Sequence, residues 1–278
     1  MSSGIVARPL AGYIGAQIEG IDLSCPMDEP TFSSVRTALA TYGVIFFREQ
    51  RLTPDQHEVF TGHFGSPTDV RFVTMVEGHA HISEVPKDLD VHYNIGGGWH
   101  ADQTCLDTPP LGAILVAGDL PDFGGDTLFS SLAAIYEALS PGLQALLDNL
   151  EAVDSNTRLV NSKSGKLITA RQEVREAIHP VVIRNELTGR KSLFVDRAYT
   201  TRFEGWSEAE GAPPDRRAAG ISDALHMASR FGRFLGQRTG RALRRERLRR
   251  YMHRLAIKAA PLRNALGAAH GPSAARVA

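Results

Sequence analysis

Cysteine is scarce: Cys25 and Cys105 are the only two in 278 residues. They cannot build a disulfide framework, and neither stands in a Cys-x-x-Cys pair, so structural zinc and dithiol redox chemistry are disfavoured. Both read as small core or surface residues. Long apolar runs are missing too, with nothing near the roughly 18 consecutive residues of a membrane helix. The segment from Met1 to Pro9 lacks the charged-then-apolar pattern of a secretory signal, so a cytoplasmic location is expected. There is no His-Glu-x-x-His, which argues against a zinc hydrolase, and no internal repeat. What remains is 42% hydrophobic and 22% charged, enough apolar material to bury one large core.

Net charge is zero only because two unlike parts cancel. Residues 1–212 carry 16 basic against 28 acidic side chains, a net of −12, while residues 213–278 carry 15 against 3, a net of +12. An arginine-rich tail is a common signature of an arm for nucleic acid or an anionic surface. That reading stays open at this point.

Along the chain, Ala11 to Ile21 reads as a strand with turns. A helix is expected from Asp28 to Tyr42, opened by acids and a proline. A short buried strand follows over Gly43 to Arg48. Thr53-Pro-Asp-Gln56 supplies a cap and starts a helix toward Gly65. Short apolar runs at Ile82 to Val85, Gly112 to Ala117 and Thr127 to Phe129 read as strands. Leu132 to Leu139 and Gly142 to Leu150 have helical spacing. The polar stretch from Val160 to Glu176 reads as an insertion able to serve as a lid. His179 to Arg184 and Lys191 to Val195 read as a hairpin. Many short strands with helices segregated outside them predict a β-rich (α+β) sandwich or jelly roll.

The densest candidate for chemistry is Asn94-Ile-Gly-Gly-Gly-Trp-His-Ala-Asp102. In extended chain, residues i and i+2 share a face, so His100 and Asp102 can offer an imidazole nitrogen and a carboxylate oxygen to one ion. Such a pair is two-thirds of the 2-His-1-carboxylate triad that holds non-haem Fe(II) and leaves positions open. Three preceding glycines permit close backbone approach. The remaining histidines, His57, His63, His79, His81 and His92, lack converging spacing and read as solvated or core-capping. His179 reads as structural.

Several ordered motifs together resemble the taurine dioxygenase family of Fe(II)/2-oxoglutarate-dependent oxygenases. Pro9 to Leu23 is similar to the family's N-terminal strand, and Trp99-His-Ala-Asp102 to its metal motif. Pro109 to Leu115 and Gly124-Gly-Asp-Thr-Leu-Phe129 resemble its next strands, and His179-Pro-Val-Val and Thr188 to Val195 its later hairpin. The resemblance implies a double-stranded β-helix (jelly roll) with iron between its sheets, and an enzyme that hydroxylates a small organic substrate while 2-oxoglutarate and O2 yield succinate and CO2. It implies His100 and Asp102 as catalytic iron ligands and Thr127 on the distal carboxylate of 2-oxoglutarate. Arg249-Arg-Tyr-Met-His-Arg254 looks like the family's last motif. It places Arg254 as the bidentate partner of that carboxylate, with Arg250 near the keto-acid end, and a planar guanidinium suits the first task. His253 lies within this motif without a role of its own. Asn94 and Tyr199 are candidate pocket residues. Val70, beside Asp69, and Gly96 stand where taurine-using members carry a sulfonate-binding histidine and an asparagine.

The pattern breaks between Pro213 and Arg249. The family's third ligand is a histidine in a stretch resembling Trp-Asp-Asn followed by His-Tyr-Ala. Here the only histidine is His226, which stands too early. Codons TTC-CTG-GGA-CAA-C could encode Phe234 to Gln237 and open Arg238, and read one base later they would give Ser-Trp-Asp-Asn. Codons GCA-CTA-CGC-CGT-GAA-CGA-TTA-C could likewise cover Ala242 to Leu248, and the same shift would give His-Tyr-Ala-Val-Asn-Asp-Tyr. A frameshift near Pro213, compensated near Arg249, would account for both the missing ligand and the charge reversal, because GC-rich coding sequence out of frame yields Arg, Ala, Gly and Pro.

The expected organisation is an oxygenase domain over 1–212, an aberrant segment over 213–249, and a residual motif and tail over 250–278, with the C-terminal strands disrupted and a sheet edge exposed. Small-molecule substrate and O2 are the expected partners, with no membrane partner and nucleic acid disfavoured. A homo-oligomer is compatible with the sequence. The rival reading is a non-catalytic remnant whose basic region binds nucleic acid or acidic surfaces.

Overall fold

Local signals place the N-terminal helices. In a computed structural model, which describes residues 4–67, 75–83, 99–117, 127–160 and 173–207 and the backbone of 254–259, the Asp28 carboxylate accepts the Thr31 amide at 2.9 Å. This satisfies one orphan donor of the first turn, and Gly43 ends the helix at φ 70°, a left-handed conformation that glycine adopts without penalty. Thr53 and Gln56 form a reciprocal capping box on the next helix.

The elements in chain order are β1 (Val6–Pro9), β2 (Ala16–Glu19), α1 (Glu29–Tyr42), β3 (Val44–Arg48), α2 (Pro54–Gly62), β4 (Met75–Val76), β5 (His79–Ser83), β6 (Gly112–Val116), α3 (Leu132–Glu137), α4 (Pro141–Leu147), β7 (Glu151–Ser155), α5 (Thr157–Val160), β8 (Glu176–Pro180), β9 (Val182–Arg184), β10 (Lys191–Leu193), β11 (Thr200–Phe203) and β12 (Arg254–Ala259). A five-stranded sheet runs β1-β2-β3-β12-β6, and a three-stranded sheet runs β11-β7-β8. β9 and β10 form the expected hairpin, and β4 pairs with β5. Sheets and helices together make the fold mixed α/β in content.

Two apolar clusters organise these layers. One joins Ile18, Val35, Leu39, Ile45, Phe47 and Phe60 from β2, α1, β3 and α2. The other joins Ile135, Leu147, Val181, Leu193 and Phe203 from α3, α4 and the second group of strands. Phe47 and Phe60 are fully buried and meet edge to face at 5.9 Å, the geometry favoured by the ring quadrupoles. Truncating either ring to alanine costs about 3–5 kcal/mol.

Several expectations need correcting. Thr127 to Phe129 is not a strand. Within Ala11 to Ile21, expected as a strand with turns, only Ala16–Glu19 is strand, and it pairs antiparallel with the preceding β1, Val6 opposite Glu19 and Pro9 opposite Ala16. β7 and β11 have no separate place in the sequence reading. The Glu151-Ala-Val-Asp-Ser155 run is too polar to announce a strand buried at four of its five positions.

The largest correction concerns the C-terminus. Disrupted strands and an open edge were expected, yet β12 lies inside the five-stranded sheet. It pairs antiparallel with β3, Leu255 opposite Phe47, and with β6, Leu255 opposite Val116. The physical reason is the cost of the gap. Without β12 the facing sides of β3 and β6 would each present a row of unpaired amides and carbonyls. The segment 213–249 and residues 161–172 of the lid expected over Val160 to Glu176 lie outside the described residues.

Proline cannot donate to a ladder and is excluded from strand interiors. Ala256→Pro should therefore lower the thermal midpoint, by roughly 2–4 °C for each kcal/mol lost in a chain of this size. An unchanged midpoint would show that β12 does not contribute to the folded state.

Candidate functional site

His100 and Asp102 lie on a loop that enters β6 from the N-terminal side. His100 Nε2 and Asp102 Oδ1 are 3.2 Å apart, and each side chain is about one-third exposed, 32% and 35%. They thus face one accessible point while their backbone is held below. Directly after Asp102 the chain turns through Gln103 at φ 52°, a left-handed conformation costly for a residue with a β-carbon. The Leu106 amide then donates to the Gln103 carbonyl at 3.1 Å. Thr104 and Cys105 are buried, and burial raises the Cys105 thiol above its ordinary value, so Cys105 is an inert core thiol.

Two side chains from the second group of strands, the half-buried Asp196 and the buried His179, hold this loop. Asp196 Oδ2 accepts the amide of Ala101, the residue between the two candidate ligands, at 3.1 Å. Its Oδ1 accepts the amides of Ala198 at 2.6 Å and Tyr199 at 2.9 Å. Burial pushes the Asp196 carboxyl upward in pKa, opposed by these amides and by His100. His179 Nε2 lies 2.8 Å from the Thr104 carbonyl and 3.0 Å from that of Leu106. Both are acceptors, so Nε2 carries the proton. The His179 ring is 1% exposed and meets Phe194 edge-on at 5.3 Å, which accords with the structural role expected for it. Asp196 had no part in the sequence reading; its one signal is an acidic residue following the apolar run Leu193-Phe-Val195.

The other predicted residues are distributed differently. Tyr199 is buried, its hydroxyl is turned toward the Gln103 backbone, and burial raises it to about 12. Thr127 is exposed ahead of α3. Arg254 opens β12, with its Cα opposite that of Arg48. Asn94, Arg250, His92, His226, His253, Val70, Asp69 and Gly96 lie outside the described residues. His63 stacks on Phe32 at 5.2 Å. His57 is pushed down by burial, opposed by its bond to the Ile114 backbone. His79 Nδ1 lies 3.3 Å from Glu58. These three therefore fill packing and surface roles.

The donor types suit a divalent ion. An octahedral ion with bonds of about 2.1 Å sets neighbouring ligand atoms roughly 3.0 Å apart, close to the 3.2 Å between Nε2 and Oδ1. His100 and Asp102 therefore fit iron as two ligands. Among the described residues no third His, Cys, Asp or Glu completes a group with them.

Comparison with known proteins identifies the family. Residues 7–216 match the family described as Taurine catabolism dioxygenase TauD, TfdA family. An alpha-ketoglutarate-dependent sulfate ester dioxygenase of Pseudomonas putida is 32% identical over 213 residues, covering 73% of this chain and 69% of that protein. An alkylsulfatase of Acinetobacter baylyi is also 32% identical, covering 73% of this chain and 66% of its own length. The chain thus spans about two-thirds of these relatives. A crystal structure of a putative alpha-ketoglutarate-dependent taurine dioxygenase from Burkholderia xenovorans superposes with a TM-score of 0.70 at 27% identity, over 92% of this chain and 83% of that one.

Behind the loop, Asp154 on β7 is fully buried, and burial raises its carboxyl to about 7. The Thr200 and Thr104 hydroxyls and Arg158 favour its ionised form. Neither carboxyl oxygen, however, has a hydrogen bond of good geometry, so burial wins. An acid raised in the folded state binds its proton more tightly there than when unfolded. Stability is therefore highest below the ordinary value of 3.8 and is lost as pH rises toward 7, up to roughly 4 kcal/mol. Asp154→Asn should remove this slope, so its stability relative to the parent should climb between about pH 4 and pH 7 in denaturant titrations. A difference independent of pH would contradict the raised value.

Proposed function

The chain belongs to the TauD, TfdA family of taurine catabolism dioxygenases, and from that premise we propose that His100 and Asp102 are two of its iron ligands. Its relatives are alpha-ketoglutarate-dependent dioxygenases acting on small organic molecules, and its class is that of an oxidoreductase using Fe(II) and 2-oxoglutarate. The carrying observation is the 3.2 Å approach of Nε2 to Oδ1 on a pinned loop. Iron, when bound, supplies the activation of O2 coupled to decarboxylation of 2-oxoglutarate. The chain's own residues orient the ligands, exclude water behind them and leave one side open.

The finer reading follows the resemblance. The architecture is a double-stranded β-helix, with residues 1–212 as its oxygenase part, 213–249 as an aberrant segment and 250–278 as residual motif and tail. Thr127 and Arg254 serve the distal carboxylate of 2-oxoglutarate, Arg250 its keto-acid end, and Asn94 and Tyr199 the substrate pocket. The location is the cytoplasm. Among the described residues no helix is long and apolar enough to cross a membrane.

The third ligand is supplied by the alternative reading frame. Two findings support this: the family match ends at residue 216, three residues past the point where charge changes sign, and β12 resumes beyond Arg249. A chain carrying only two ligands holds iron weakly and turns over poorly or not at all. Nothing in the comparisons favours the rival reading of the basic segment as a nucleic-acid arm.

Three measurements test this. His100→Ala should abolish the Fe(II) binding seen by isothermal titration, since a lone carboxylate does not hold the ion specifically; equal binding by both proteins would overturn the assignment. Restoring the alternative frame between Pro213 and Arg249 should raise thermal stability and produce 2-oxoglutarate turnover; a restored protein that is no more stable and still fails to bind Fe(II) would defeat the frameshift account. Even then, taurine should not be used. A sulfonate near Val70 would meet an apolar side chain with the Asp69 carboxylate beside it, so taurine-dependent succinate release at a rate comparable with other substrates would contradict this.

A further inference from the structure

The two candidate ligands are separated by one residue, and the geometry at that residue is set from outside the loop. The Ala101 amide donates to Asp196 Oδ2 at 3.1 Å. Fixing this peptide fixes the dihedral angles on both sides of it, and with them the direction of the His100 and Asp102 side chains. Asp196 is itself immobilised, because its other oxygen accepts two amides of its own turn, Ala198 and Tyr199, and its amide donates to the Thr200 hydroxyl at 3.0 Å. The carboxylate thus joins the turn before β11 to the loop before β6. Just past the ligands, the left-handed Gln103 is a conformation that persists only where neighbouring contacts over-determine it, and His179 supplies those contacts through the Thr104 and Leu106 carbonyls.

We propose that Asp196 is a positioning residue for the metal site: through the Ala101 amide it sets the 3.2 Å approach of the His100 and Asp102 donor atoms before any ion arrives. This rests on the reading of His100 and Asp102 as ligands. In this role Asp196 acts through the backbone between the two donor residues. Residues that orient metal ligands from behind change affinity about ten- to a hundredfold when altered, and the same range applies here.

The experiment adds Co(II) to the metal-free full chain, follows visible absorption, and measures hydrogen exchange at the Ala101 amide without metal. Asp196→Ala should weaken Co(II) binding about ten- to a hundredfold, alter the intensity of the Co(II) bands and speed exchange at Ala101. Asp196→Asn keeps one acceptor oxygen, so it should recover part of the affinity and part of the protection. Leu147→Ala is the control for disturbance of the core, since Leu147 is buried in an apolar cluster that contains no residue of the loop. It should leave Co(II) affinity and Ala101 exchange unchanged. Parental Co(II) affinity and parental Ala101 exchange in a folded Asp196→Asn or Asp196→Ala protein would overturn the proposal, as would an equal loss in a folded Leu147→Ala protein. If the parent itself binds no Co(II), the ligand reading fails separately, and Ala101 exchange alone then decides whether Asp196 holds the loop.

Discussion

Two ligands one residue apart can meet at a single ion only if the peptide between them is held, and a held peptide in a turn leaves backbone groups that no regular ladder will satisfy. At His100 and Asp102, the proposed ligands, two side chains from other elements meet that constraint, one half-buried and one buried. Asp196 takes the Ala101 amide and His179 takes the carbonyls of Thr104 and Leu106. Each pin costs desolvation, and each is offset by bonds to groups that would otherwise be buried without partners. The second group of strands is consequently part of the site, because β8 carries His179 and the turn before β11 carries Asp196.

The same accounting explains the sheet. β3 and β6 are far apart in sequence, and neither satisfies the other. The strand between them comes from the last third of the chain and pairs on both sides. A sheet closed this way ties the C-terminal segment to the core through backbone bonds, which depend little on side-chain identity. Such a closure survives changes of sequence that a metal site does not, since a ligand is a particular side chain and a ladder position is almost any residue except proline.

How much of this was legible in the sequence follows from the range of each signal. α1 and α2 were readable with their starts, because Asp28, Thr53, Gln56 and the following prolines act within one turn. β3, β6, α3, α4 and the β9–β10 hairpin were readable from apolar spacing and a Gly-containing turn. β7 was not, because Asp154 and Ser155 are polar yet buried, and periodicity treats polar residues as exposed. The His100 and Asp102 pair was readable from alternation and resemblance together. Asp196 was not, since its partner is 95 residues away and a single acidic residue has no pattern. The role of β12 was misjudged for a related reason: the charge anomaly upstream was extended to strands that lie beyond it.

That misjudgement bears on the origin of the anomaly. A single shift of frame at Pro213 would put everything after it out of register, including residues 254–259, and a strand in the middle of the sheet would then have to arise from unrelated sequence. Two opposite shifts leave Arg249 onward in the original frame and confine the damage to the segment between. The nine arginines of residues 214–248 spare no apolar face, as expected of the confined stretch, whereas Arg254 to Ala259 pairs in full register with both β3 and β6. The family match to residue 216 and the pairing of β12 from Arg254 are what the proposed pair of shifts, confined between them, would leave intact. Such a break would remove a ligand and leave the scaffold that would receive one.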